Sequence, residues 1–120
     1  MPCRIMLVDD HPLFRVGLRL LLEKEDDFSV IAEAQTPTQA WESFNENVDL
    51  IICDRSFQEG SGLSLIKRIR NGGSSCPILI LSMHDELFWA ERVLQEGANG
   101  YLMKDQNITT VIQAARSVLS

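Results

Sequence analysis

The sequence predicts an α/β fold: one doubly wound, five-stranded parallel sheet covered by five helices. Three observations lead there. Five short apolar runs alternate with five stretches whose apolar residues recur at helical spacing, and such alternation means a parallel sheet with helices on both faces. The third run, "VDLIICD" (48–54), is apolar nearly throughout, as a central strand buried on both faces requires. Finally, four of the five runs end in a charged or hydroxyl-bearing residue. The carboxyl ends of parallel strands are where ligands bind in open sheets.

Each element has its own signal. "RIMLV" (4–8) is a continuous apolar run and reads as the first strand. Pro12 suits the first turn of the helix that follows, with Leu13, Val16 or Gly17, Leu20 and Leu21 expected on its inner side. "FSVIAEA" (28–34) is the second strand. Thr36 then caps a helix, Pro37 takes its first position, and Ala40, Trp41 and Phe44 form an apolar face. After the third strand, Ser61 or Gly62 opens a helix bearing Leu65, Ile66 and Ile69, which "NGG" (71–73) stops. "PILILS" (77–82) is the fourth strand, and a helix with Ala90, Val93 and Leu94 inward runs to Gly97. "GYLM" (100–103) is the fifth. Asp105 is expected to cap the last helix, where Ile108, Val111, Ile112, Ala115 and Leu119 repeat at helical spacing.

At 120 residues the chain suits one domain with one core. Its net charge of −6 argues against non-specific nucleic-acid binding by this domain, since phosphate backbones demand clustered Lys and Arg. Cys3, Cys53 and Cys76 form no CxxC pair, so disulfide-scaffold and zinc readings are poor. Cys53 reads as a small core residue, and a reducing, cytoplasmic setting is expected. No signal peptide and no membrane-spanning stretch is legible.

The chemistry gathers at the strand ends. The first strand ends in Asp9 and Asp10, the third in Asp54, the fourth in Ser82 and the fifth in Lys104. Singly, each has a bland reading: a helix cap, a turn residue, a solvated lysine. Together they bring three carboxylates to one end of the sheet if the first and third strands are neighbours. Adjacent carboxylates repel unless a cation compensates, and a hard divalent ion such as Mg²⁺ takes carboxylate oxygens while leaving positions for phosphate.

The order Asp-Asp, Asp, Ser, Lys resembles the receiver domain of two-component response regulators, over essentially the whole chain. The matching stretches are "MLVDDHPLFRVGLRLLL" (6–22), "DLIICD" (49–54), "GSGLSLIKRIR" (60–70), "ILILSMHDE" (79–86) and "EGANGYLMKD" (96–105). Two of these, "DDHPLFRVGL" and "GANGYLMKD", look like the NarL/LuxR-type subfamily. The resemblance implies a flavodoxin-like strand order of 2-1-3-4-5. It implies Asp54 as acceptor of a phosphoryl group from a sensor histidine kinase, with Mg²⁺ held by Asp10, by Asp9 largely through water, by Asp54 and by the backbone carbonyl of Ser56. Ser82 and Lys104 would contact phosphoryl oxygens, and Ser82 with Tyr101 would form the switch. It further implies transcriptional regulation, possible homodimerisation on phosphorylation, and DNA contact only through an effector domain following residue 120. The domain would be a phosphoryl acceptor with intrinsic phosphorylation and dephosphorylation chemistry rather than a dedicated enzyme.

The loop "DRSFQEG" (54–60) departs from that family. Arg55, Phe57 and Gln58 stand where an apolar residue and a Met-Pro pair are common, and Glu59 where Gly is usual. The loss of Pro removes a fixed φ, which bears on the rate and lifetime of phosphorylation. His11 and His84, which flank the pocket, are read as loop residues, with metal binding a minor prospect because imidazole suits softer metals than Mg²⁺. Phe88 is expected to point outward from the fourth helix beside Trp89, as part of a contact patch. A haloacid-dehalogenase-type phosphatase would want a second Asp where Ser56 stands, and more chain. A flavin module gives no reason to gather carboxylates, and no GxxxxGK[ST] loop is present. The remaining rival is a receiver-like binding module that signals without phosphorylation.

Overall fold

A computed structural model describes residues 2–54, 56–57, 60–83, 87–105 and 107–120, with backbone only for 56, 57, 60, 61 and 87–89. His84 and the side chains of Phe88, Trp89 and the 55–59 loop lie outside the described residues. The chain order is β1 (Cys3–Val8), α1 (Pro12–Leu22), β2 (Phe28–Ala34), α2 (Pro37–Ser43) and β3 (Leu50–Asp54). A short ribbon of β4 (Ser56–Phe57) and β5 (Gly60–Ser61) follows, which the apolar pattern gave no means of foreseeing. Then come α3 (Gly62–Asn71), β6 (Ile78–Ser82), α4 (Leu87–Gln95), β7 (Gly100–Met103) and α5 (Ile108–Leu119).

The main sheet is parallel with order β2-β1-β3-β6-β7, which is 2-1-3-4-5 when only its strands are counted. β3 is central and buried along its length, as its unbroken apolar sequence requires. Successive side chains of a strand alternate between faces, so the sheet feeds two cores. Met6, Val8, Ile51, Cys53, Ile78 and Ile80 pack with Leu65, Ile66, Ile69 and Val93 from α3 and α4. Ile5, Leu7, Leu50, Ile52, Leu79 and Leu81 pack with Leu18, Leu22, Val111 and Ala115 from α1 and α5.

The local signals hold where the chemistry is local. Thr36 accepts a hydrogen bond from the Gln39 amide as the N-cap of α2, with Pro37 in the first turn. Gly73 adopts φ +90° just past α3, a conformation that favours glycine, and the Gly73 amide bonds the Arg70 carbonyl. Gly97 does the same after α4 at φ +118°.

Three expectations are corrected. The inner face of α1 is not Leu13, Val16, Leu20 and Leu21. Leu13 is 89% exposed and Leu20 57%, whereas Leu18 and Leu22 are buried with Phe14 packed beside them. Positions 14, 18 and 22 are four apart and share a face as well as 13, 17 and 20 do; helix periodicity alone did not choose between two apolar stripes. Among the described side chains of α4, Val93 is buried, Ala90 is half-buried and Leu94 is exposed, so Leu94 does not share the inner face. Finally, α5 is capped by Asn107, whose side chain accepts from the Thr110 amide at 3.0 Å, and not by Asp105.

Candidate functional site

The strand register carries the polar residues to one edge. Asp54 ends β3 and Ser82 ends β6, on neighbouring strands in which Asp54 pairs with Leu81. Lys104 follows β7, and its amide bonds the Ser82 carbonyl at 2.7 Å. Asp9 follows β1 and is tied to β2 through the Ala34 carbonyl at 3.0 Å. Among the described residues the buried polar or charged side chains are Asp9, Asp54, Ser82 and Lys104. Burying a charge is costly unless it is paired. That all four stand at the same end of one sheet is therefore a property of a site and not of the core.

Their geometry is that of a charge cluster. The Lys104 ammonium lies 2.9 Å from Asp9 Oδ2 and 3.3 Å from Asp54 Oδ2. It also sits 4.4 Å from the centre of the Phe14 ring, a cation–π contact that helps hold a desolvated ammonium. Oxygens of Asp9, Asp10 and Asp54 and a nitrogen of His11 all lie within 4.8 Å of one another. Ionised, three carboxylates against one ammonium leave a net of two negative charges, which a divalent cation would balance. The donor set thus fits a hard or borderline divalent ion. The field of these carboxylates reaches Cys53, whose thiol is pushed well above its ordinary value, first by burial and then by Asp54 and Asp9.

Two further residues support the acidic pair: His11, expected only as a loop residue beside the pocket, and Arg15, which the sequence did not single out. His11 is the N-cap residue of α1, and its amide donates to Asp9 Oδ1 at 2.7 Å. Its Nδ1 lies 3.1 Å from Asp9 Oδ1 and 3.3 Å from Asp10 Oδ1, so His11 faces the cluster and is more than a neighbouring loop residue. Arg15 on α1 donates to the Asp9 carbonyl at 2.6 Å and to Glu33 at 3.0 Å, clamping the strand end from outside. Their only sequence signal was position: all fall within two turns of the acidic pair. A cavity of about 460 Å³ opens beside the cluster, lined by His11, Leu13, Phe14, Met83, Lys104 and Asp105. Tyr101 is half-buried against the α3/α4 core, and Ser56 opens β4 two residues past Asp54.

A five-stranded 2-1-3-4-5 sheet with acidic, hydroxyl and lysine residues at its carboxyl edge defines a class of signalling domain, and comparison with known proteins agrees. The family model for the response regulator receiver domain matches residues 5–116, and the chain belongs to that family. Within it the chain is of the NarL/LuxR type. It is 35% identical over 117 residues, 97% of its length, to the nitrate/nitrite response regulator protein NarP of Escherichia coli, of which the match covers 54%. It is 31% identical to the virulence transcription regulator BvgA of Bordetella pertussis over 98% of the chain and 56% of that protein. The fold superposes on a LuxR-family response regulator from Aurantimonas sp. SI85-9A1 with a TM-score of 0.93 at 32% identity, covering 99% of this chain and 86% of that one. It superposes on the signal receiver domain of NarL from Mycobacterium tuberculosis with a TM-score of 0.92 at 28% identity, covering 98% and 96%. The chain spans about half the length of the relatives it matches. No helix among the described residues is long and apolar enough to cross a membrane.

Proposed function

We propose that this receiver domain is a phosphorylation switch in which Asp54 accepts a phosphoryl group from a phosphohistidine of a sensor kinase. The observation that carries the reading is that, among the described residues, buried charge (Asp9, Asp54 and Lys104) gathers at one sheet edge with Ser82. An Asp54 carboxylate oxygen attacks phosphorus as the bond to the donor imidazole nitrogen breaks, leaving an aspartyl phosphate. Such transfer is mostly positioning and charge neutralisation. The β3 end fixes the nucleophile, and Lys104, already 3.3 Å from it, moves from carboxylate to phosphoryl oxygen. Ser82 donates a hydrogen bond to a second phosphoryl oxygen. The cavity beside His11 and Met83 gives the donor side chain a way in.

Asp10, Asp9, Asp54 and the Ser56 carbonyl are the residues that would hold Mg²⁺. Bound there, Mg²⁺ supplies positive charge against the incoming phosphoryl oxygens. The output follows from Ser82 moving toward the phosphoryl group and Tyr101 turning into the space it leaves. That biases two arrangements of the α4, β7 and α5 face. The downstream result is transcriptional control through an effector domain, as the names of the relatives suggest.

The test is intact mass after incubation with acetyl phosphate and Mg²⁺. Wild type should gain one phosphoryl group, and the gain should need Mg²⁺ and vanish in Asp54→Asn. No gain in wild type under conditions where Mg²⁺ binds would leave a binding module that signals without phosphorylation.

A further inference from the structure

We propose that His11 Nδ1 belongs to the metal donor set of this site and shifts its preference from Mg²⁺ toward borderline cations such as Mn²⁺, an inference that rests on the metal reading above. The Lys104 ammonium shows how the donors are arranged around a positive charge. It lies 2.9 Å from Asp9 Oδ2, 3.3 Å from Asp54 Oδ2 and 3.1 Å from His11 Nδ1. An ammonium has only protons to offer. Toward that ammonium Nδ1 would turn its lone pair, the form of imidazole that ligates a metal, whereas toward Asp9 Oδ1 it would turn its N–H. The same nitrogen is 3.1 Å from Asp9 Oδ1, 3.3 Å from Asp10 Oδ1 and 3.8 Å from Asp54 Oδ2. Nδ1 and the oxygens of Asp9, Asp10 and Asp54 all lie within 4.8 Å of one another, so one cation among them can take the imidazole nitrogen as a fourth donor.

The position is also fixed by the backbone. His11 is extended at φ −98° and ψ 98°, its amide is held by Asp9 Oδ1, and Pro12 begins the helix directly after it. The ring cannot leave the cluster by a shift of the main chain without losing that bond. Its side chain is 63% exposed, so bringing Nδ1 onto a cation at the pocket mouth costs little desolvation. Carboxylate and water ligands suit Mg²⁺ and Mn²⁺ alike, whereas an added imidazole favours the later transition ions. The site is thus built to discriminate between divalent cations of the same charge.

The experiment is calorimetric titration of wild type, His11→Ala and Asp10→Asn with MgCl₂ and with MnCl₂. Pulsed EPR on the Mn²⁺-loaded protein then reads nitrogen coupling. Wild type should bind Mn²⁺ more tightly than Mg²⁺, and His11→Ala should cut the Mn²⁺-to-Mg²⁺ affinity ratio by about tenfold or more. A nitrogen coupling should be present in wild type and His84→Ala and absent from His11→Ala. An unchanged ratio in His11→Ala, or a coupling that survives it, overturns the proposal while leaving the metal site intact if Asp10→Asn still abolishes binding. Wild type binding neither ion, or Asp10→Asn binding both as wild type does, overturns the metal reading and this proposal with it.

Discussion

Lys104 carries two duties that pull against each other. Before phosphorylation it neutralises Asp9 and Asp54 from within 3.3 Å, while buried to 8% exposure; in the proposed product it pairs with phosphate. Removing one partner of a buried charge pair typically costs about 3–5 kcal/mol, because the other is left uncompensated. Lys104→Ala should therefore lower urea stability by several kcal/mol in the absence of metal, with part regained on adding Mg²⁺. It should still accept phosphate at Asp54, since the carboxylate nucleophile remains.

At the opposite end of the sheet, the Arg4 guanidinium hydrogen-bonds Asp49 and holds its carboxyl below the ordinary value of 3.8. A carboxyl depressed in the folded state stabilises above its unfolded pKa, and that contribution is lost as pH falls through the lower folded value. In Arg4→Ala the Asp49 carboxyl should titrate higher by NMR, and the acid transition should begin at a higher pH. Asp9, Asp10, Asp54, Ser82 and Lys104 were legible because each breaks an apolar run at its carboxyl end. His11 and Phe14 were not, because the direction of a ring is decided by what packs across from it.

Helix α1 shows what an element's sequence leaves open. "PLFRVGLRLLL" offers two stripes of apolar residues, and the sheet and α5 take the one through Phe14, Leu18 and Leu22. Leu18→Ala should cost about 2–5 kcal/mol as a cavity in the core, while Leu20→Ser should stay within about 0.5 kcal/mol. Equal losses in urea denaturation would contradict the observed rotation of the helix. Strand identity and order of appearance were readable because a continuous apolar run of strand length has few other uses. The cap of α5 was misread for a local reason: Asp105 and Asn107 are both good caps. Which one caps depends on where the backbone leaves β7 after Lys104.

For the whole molecule the governing facts are a net charge of −6, a span of about half the relatives' length, and, among the described residues, one cluster of buried charge. A chain so charged should show no DNA binding at physiological salt by mobility shift. If phosphate at Asp54 shifts the domain between two surfaces, a bound phosphate mimic should change sedimentation or the amide signals of α4, β7 around Tyr101 and α5. The exposed face of α5, with Thr109, Gln113 and Ser117, is the part to follow, since it is weakly charged and its Arg116 is already paired with Glu25 and Asp27.

The proposed switch requires that Asp54, and no other residue, take the phosphoryl group. Borohydride reduces an aspartyl phosphate to homoserine, so trapping the domain after acetyl phosphate treatment and sequencing its peptides by mass spectrometry locates the modification. A Mg²⁺-dependent homoserine is expected at position 54, with Asp9 and Asp10 unmodified. Homoserine at 9 or 10, or an acid-stable phosphate on Ser82 or His11 with position 54 unchanged, would contradict it.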